Sequence, residues 1–131
     1  MVFEESVSLK KPFDEVVEVV KAALAEYGFG VLTEIDVQAT LKSKLGKTMD
    51  RYLILGACNP SLASQALDVE PRIGVLLPCN VVVRELGGEV LVEAMDPGVM
   101  SNLVGREKIG SVADQARELI GKALVAVGSA V

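Results

Sequence analysis

The sequence predicts an α+β domain: an antiparallel-rich sheet with two long helices on one face and short helices in the connections, in the order β-α-β-β-β-β-α. Three observations carry that expectation. Apolar residues recur at helical spacing in two long stretches, near 12–27 and 109–127. Apolar runs of strand length lie between them. Gly87-Gly88 joins two of those runs, and a two-residue glycine link is a hairpin signal, so that pair is antiparallel.

The elements follow in chain order. Val2 to Leu9 alternates, with Phe3, Val7 and Leu9 apolar among Glu4, Glu5 and Ser8, and reads as the first strand. Pro12 fits the first turn of a helix, and Asp14 and Glu15 suit its positive end. Phe13, Val16, Val17, Val20, Ala23, Leu24 and Tyr27 then form one stripe, and Gly28 fits the left-handed position that ends such a helix. Phe29 to Ile35 reads as a second strand with Phe29, Val31, Thr33 and Ile35 on one face. Asp36 caps a short helix over 37–45, which Gly46 ends. Tyr52 to Ala57 is a third strand. Asn59 as cap and Pro60 at the first helical position open a short helix to about Leu67, closed by Glu70-Pro71.

Ile73 to Leu86 reads as one long extended stretch broken at Pro78, where a missing N–H argues for a bulge or an edge. Glu89 to Met95 is the returning strand, with Val90, Val92 and Ala94 on one face. Asp96-Pro97-Gly98 breaks it, and the segment to about Gly105 reads as irregular or a short turn. Ile109, Val112, Ala113, Ala116, Leu119, Ile120, Ala123, Leu124 and Val127 make the second long helix, closed by Gly128. With no linker, repeat or low-complexity stretch, all 131 residues read as a single domain.

Composition narrows the function classes. Thirteen basic against eighteen acidic residues give a net charge of −5, unfavourable for approach to a phosphate polyanion. Without tryptophan, and with two Tyr and three Phe, a base-stacking platform is poorly supplied, so no nucleic-acid partner is expected. The chain has no histidine. Ser-His-Asp and Cys-His triads, HExxH zinc sites and histidine-based iron sites are therefore excluded within one chain. No apolar run approaches the length of a membrane span, and Met1 to Glu5 lacks the basic start of a signal peptide. The expectation is a soluble cytoplasmic protein, without a membrane partner, whose two cysteines stay reduced.

One order of segments is distinctive. Gly28-Phe29-Gly30-Val31-Leu32-Thr33-Glu34-Ile35-Asp36-Val37 is followed by Tyr52-Leu53-Ile54-Leu55-Gly56-Ala57-Cys58-Asn59-Pro60. Glu70-Pro71-Arg72-Ile73-Gly74-Val75-Leu76-Leu77-Pro78-Cys79-Asn80-Val81-Val82-Val83 comes next, and Asp96-Pro97 late. This pattern resembles the domain-of-unknown-function 302 family over nearly the whole chain. The resemblance implies a TATA-binding-protein-like fold in a small bacterial or archaeal protein. It implies no reaction and no cofactor, and a fold name carries no DNA binding with it.

The residues themselves nominate candidate sites. Cys58 and Cys79 are the only soft nucleophiles, and each precedes an asparagine at a strand end or bend. Cys58 stands before a helix cap, where free N–H groups favour a thiolate. Were the two segments neighbours, the sulfurs would suit linear Cu(I), half of a zinc site shared across a dimer, or a reversible disulfide. The competing reading is that both thiols are core filler. Asn59 and Asn80 could orient a ligand by their amides, or serve as a cap and a bulge stabiliser. Glu34 and Asp36, two apart on a strand, could bind a hard cation or do acid–base work, or be a surface ion pair and a helix cap. Lys42, Lys44, Lys47 and Arg51 form a basic cluster that fits a small anion or a solvated helix face.

Leu53 to Ala57 and Ile73 to Val83 are apolar on both alternating sets, a pattern of strands covered on both sides. Two long helices cover one face only, so a homodimer is expected to cover the other. Folding of the short helices and of 97–108 over that face is the competing solution. Three functions follow: a homodimeric module binding a small ligand or metal ion near the two Cys-Asn segments, a thiol-redox or cysteine-nucleophile protein using Cys58 and Cys79, or a purely structural dimer. The sequence identifies no cofactor and does not decide whether the protein is an enzyme.

Overall fold

The structure is a computed structural model and describes residues 6–100 and 107–130. The early part of the first expected strand, the turn expected over 101–105 and the middle half of the 97–108 fold-back (101–106) therefore lie outside the described residues.

Five strands pair antiparallel in the spatial order β1-β5-β4-β3-β2: β1 (Val7–Leu9), β2 (Gly30–Asp36), β3 (Tyr52–Cys58), β4 (Cys79–Leu86) and β5 (Glu89–Ala94). Side chains alternate across such a sheet. Leu9, Leu55, Ala57, Val81, Val83, Val90, Val92 and Ala94 all turn to one face and are buried there. Helices α1 (Phe13–Glu26) and α4 (Glu107–Ser129) pack on that face and on each other. Val16, Val20, Leu24, Ile120, Ala123 and Val127 complete the main core. The predicted stripes are thus the buried ones, with a difference of degree: Ile120 is 1% exposed, whereas Leu119 is only partly buried against the core.

Local chemistry sets the boundaries. Gly28, at φ +87°, ends α1, with Phe29 N–H donating back to Leu24 O at 2.9 Å. Asp36 accepts from Ala39 N–H at 2.9 Å and opens α2 (Val37–Leu45), none of whose residues is buried. Gly87 and Gly88 both take positive φ, 57° and 83°, as a two-residue hairpin of this type requires. Arg51 ties the start of β3 to α1: it lies 4.1 Å over the Phe13 ring and 3.0 Å from Asp14.

Three expectations need correction. Residues 71–76 are not extended but form a 3-10 helix (Pro71–Leu76). Its start is built by Glu70, whose carboxylate accepts both the Arg72 N–H at 3.1 Å and the Arg72 guanidinium at 2.8 Å, with Pro71 fixing φ behind it. Pro78 therefore lies just before β4, outside the ladder, and β4 is an interior strand without a bulge at Cys79. The bulge is in β2, where Val31 opposes Ala57 and Thr33 opposes Gly56. The extra residue, Leu32, is exposed, and it places Val31 and Thr33 on opposite faces rather than one. Finally, α4 runs through Gly128 to Ser129, and Gly128 brings its backbone close to Val7.

Candidate functional site

Two apolar clusters make up the interior. The main one lies between the sheet and helices α1 and α4. The second gathers Ala66, Ile73, Cys79, Met100 and Ile109 beneath α3 (Pro60–Val69) and the 3-10 helix. A crevice of about 40 Å³ remains at their seam. Phe29 and Ala57 line it from the first cluster, Ala66, Cys79 and Met100 from the second, with Leu62, Ala63, Val112 and Ala116 from the helices. Small side chains on facing elements (Ala63 and Ala66 of α3, Ala116 of α4) leave the gap.

The end of β3 and the start of β4 bring the cysteines here. Ala57 pairs with Cys79, and Cys58 follows at the last position of β3. Both sulfur-bearing residues line the crevice, Cys79 buried at 7% exposure and Cys58 partly open. Burial pushes the Cys79 thiol up to about 11, and the nearby Cys58 adds to that rise. Cys79 therefore keeps its proton at neutral pH and is a poor nucleophile.

Asn59 also lines the crevice. Its Oδ1 accepts the Leu62 N–H at 3.2 Å and caps α3, with Pro60 in the first turn. That bond uses the acceptor of the carboxamide; its NH2 group meets no acceptor among the described residues.

The other expected site residues lie elsewhere. Asn80 is exposed on the opposite sheet face, because neighbours along a strand point opposite ways. Glu34 pairs with Lys21 of α1, and Asp36 is spent on its cap. Both stand toward the end of β2 remote from Cys58, which is opposite Gly30. Lys42, Lys44 and Lys47 are exposed on and after α2, while Arg51 leaves them for Asp14. Among the described residues no group of three or more Cys, Asp or Glu gathers around a point.

Phe29, Leu62, Met100 and Ala116 were not foreseen as crevice residues. Phe29 and Ala116 read as apolar-face positions of a strand and a helix, Leu62 and Met100 carry no assignment in the sequence reading, and only the meeting of distant elements gives the four a shared void. Two buried carboxylates were also missed as a class: Glu70, held by Arg72, and Asp96, 5% exposed, which accepts the Gly98 N–H at 2.8 Å and lies 3.4 Å from Arg117. The Asp-Pro-Gly spelling at 96–98 was the available signal, since Asp commonly bonds the backbone two residues on.

The opposite sheet face holds a shallow depression over Tyr52, Asn80, Val82, Arg84, Glu93 and Met95. Arg84 Nε donates to Glu93 Oε1 at 2.6 Å across β4 and β5, both side chains 30% exposed. No described helix is long and apolar enough to cross a membrane.

Fold and site together define an α+β domain with one antiparallel sheet, helices on one face, and an apolar crevice bearing two thiols at the sheet end. The model of the family "Domain of unknown function DUF302" matches residues 5–127, and the chain belongs to that family. A crystal structure of an uncharacterized conserved DUF302 protein from Bacillus stearothermophilus is similar in fold, with a TM-score of 0.86 at 24% identity over 93% of this chain and 95% of that one. No curated protein matches the chain.

Proposed function

We propose that the protein is a binding domain that takes a compact apolar group of a small ligand into the crevice between Phe29, Cys58 and Cys79. The observation that carries this reading is the crevice itself. Protein interiors are close-packed, and a void forfeits contacts at roughly 24 cal/mol per Å³. For about 40 Å³ the loss is on the order of 1 kcal/mol, which a ligand group of a few atoms would recover. The unused NH2 group of Asn59 suits a hydrogen-bond acceptor on the same ligand.

A second reading has one specific support. The two thiols of Cys58 and Cys79, with the thioether of Met100 on the same crevice, suit a soft cation of low coordination number such as Cu(I). Thiol chemistry with Cys58 as nucleophile and Cys79 resolving fits less well, because a Cys79 proton held to about 11 leaves little thiolate to resolve a disulfide and the chain has no histidine to activate Cys58.

Xenon tests the first reading, since dry apolar cavities take it up. Under xenon pressure, methyl signals of Ala57, Leu62, Ala66 and Met100 should shift, and the filled variant Ala63→Leu should lose those shifts. Methyl signals that do not move in the folded wild type would overturn it. A Cu(I) titration with one equivalent bound, abolished by either Cys58→Ser or Cys79→Ser, would replace it with the second reading.

A further inference from the structure

We propose that the sheet face opposite the helices is the seat of a second copy of this chain, packed face to face about a two-fold axis at the Arg84–Glu93 pair. Helices α1, α3 and α4 pack away from this face, and the crevice lies on their side of the sheet. What the face presents is an ion pair set among partly buried apolar side chains, Ile54, Val82 and Leu91.

The charge pattern selects the occupant. Arg84 uses its Nε on Glu93, and its two terminal nitrogens meet no acceptor among the described residues. Glu93 uses Oε1, and its Oε2 meets no donor there. Each copy thus lacks an acceptor for Arg84 and a donor for Glu93. A two-fold supplies both, setting Arg84 against the partner's Glu93 and Glu93 against the partner's Arg84. The four groups close a ring of charge-assisted bonds, the condition under which a buried pair offsets its loss of water. An isologous contact is self-complementary in this sense. An unrelated acidic or basic partner would satisfy one member of the pair and oppose the other. The apolar residues around the ring supply the burial that association needs.

The arrangement predicts a solution mass of twice 13.8 kDa at micromolar concentration. Arg84→Glu places four carboxylates at the axis and should give 13.8 kDa, as should Glu93→Arg with four guanidinium groups. The double reversal, Arg84→Glu with Glu93→Arg, restores the ring and should restore the dimer. In a mixture of labelled and unlabelled wild-type protein, intermolecular NOEs should connect the methyls of Ile54, Val82 and Leu91. That measurement needs no variant to fold. A wild-type mass of 13.8 kDa at 100 µM (on the order of the concentration where weak pairs form) would overturn the proposal. So would a dimer without those NOEs, or one that either single reversal leaves intact. Wild-type monomers that bind another protein on this face would overturn it as well.

Discussion

Cys79 stands directly opposite Ala57 in the β3–β4 ladder, and this pairing delivers a buried thiol to the seam between the two apolar clusters. The consequence is measurable as a pH dependence of stability. The thiol is raised from its ordinary 9.0 to about 11 in the folded chain. Between those values the unfolded chain has already released a proton that the folded chain keeps. Stability therefore falls as pH rises through about 9 and levels off beyond about 11, by roughly 1.4 kcal/mol per pH unit at most. Urea denaturation at pH 7.5 and pH 10 should show this loss in the wild type. It should be smaller by about 1 kcal/mol or more in Cys79→Ala, whose comparison with the wild type cancels every other group's contribution.

The two capped helices should answer differently to loss of the cap. Asn59→Ala removes the acceptor for Leu62 N–H at the start of α3, a helix that buries Leu62 and Ala66. It should cost about 1 kcal/mol of global stability. Asp36→Ala removes the same kind of bond from α2, which has no buried residue. Global stability should change by less than about 0.5 kcal/mol, with only local fraying of α2 in amide exchange. Equal effects would show that α2 is more tightly coupled to the core than its exposure implies.

Gly56 has no room for a methyl group. A Cβ there would lie 2.2 Å from Thr33 Oγ1 and 2.8 Å from Pro78 Cγ. The threonine can rotate away; the proline ring cannot. Gly56→Ala should lower stability by about 1–3 kcal/mol, and adding Thr33→Ala should recover only part of it. Full recovery in the double variant would show that Pro78 is not the constraint.

The fold was legible because its signals are local. The stripes of α1 and α4, the caps Asp36 and Asn59, the stop at Gly28 and the Gly87-Gly88 hairpin each depend on residues within a few positions of one another. Residues 71–76 were misread because an apolar run has no period of its own until Glu70 and Arg72 close a turn around Pro71. The bulge at Leu32 escaped for a related reason: alternation looks continuous in β2, and only pairing with Ala57 and Gly56 shows the extra residue. Of the candidate residues, the repeated Cys-Asn spelling predicts that Cys58, Asn59, Cys79 and Asn80 lie together, and the crevice lining holds the first three. Asn80 was not separable from them, because its direction is set by strand parity once β4 starts at Cys79. The crevice volume is a property of distant elements, Phe29 with Met100 and Ala116, and no local pattern encodes it.

Native mass spectrometry of the protein purified gently from its own cells shows most directly whether the crevice holds a small ligand. The expected species is heavier than the polypeptide by one small organic ligand per chain. The added mass should be lost on unfolding and be missing from Ala63→Leu, whose larger side chain fills the crevice. Folded protein carrying only the polypeptide mass, 13.8 kDa per chain, or an adduct that Ala63→Leu retains in full, would contradict ligand binding in the crevice.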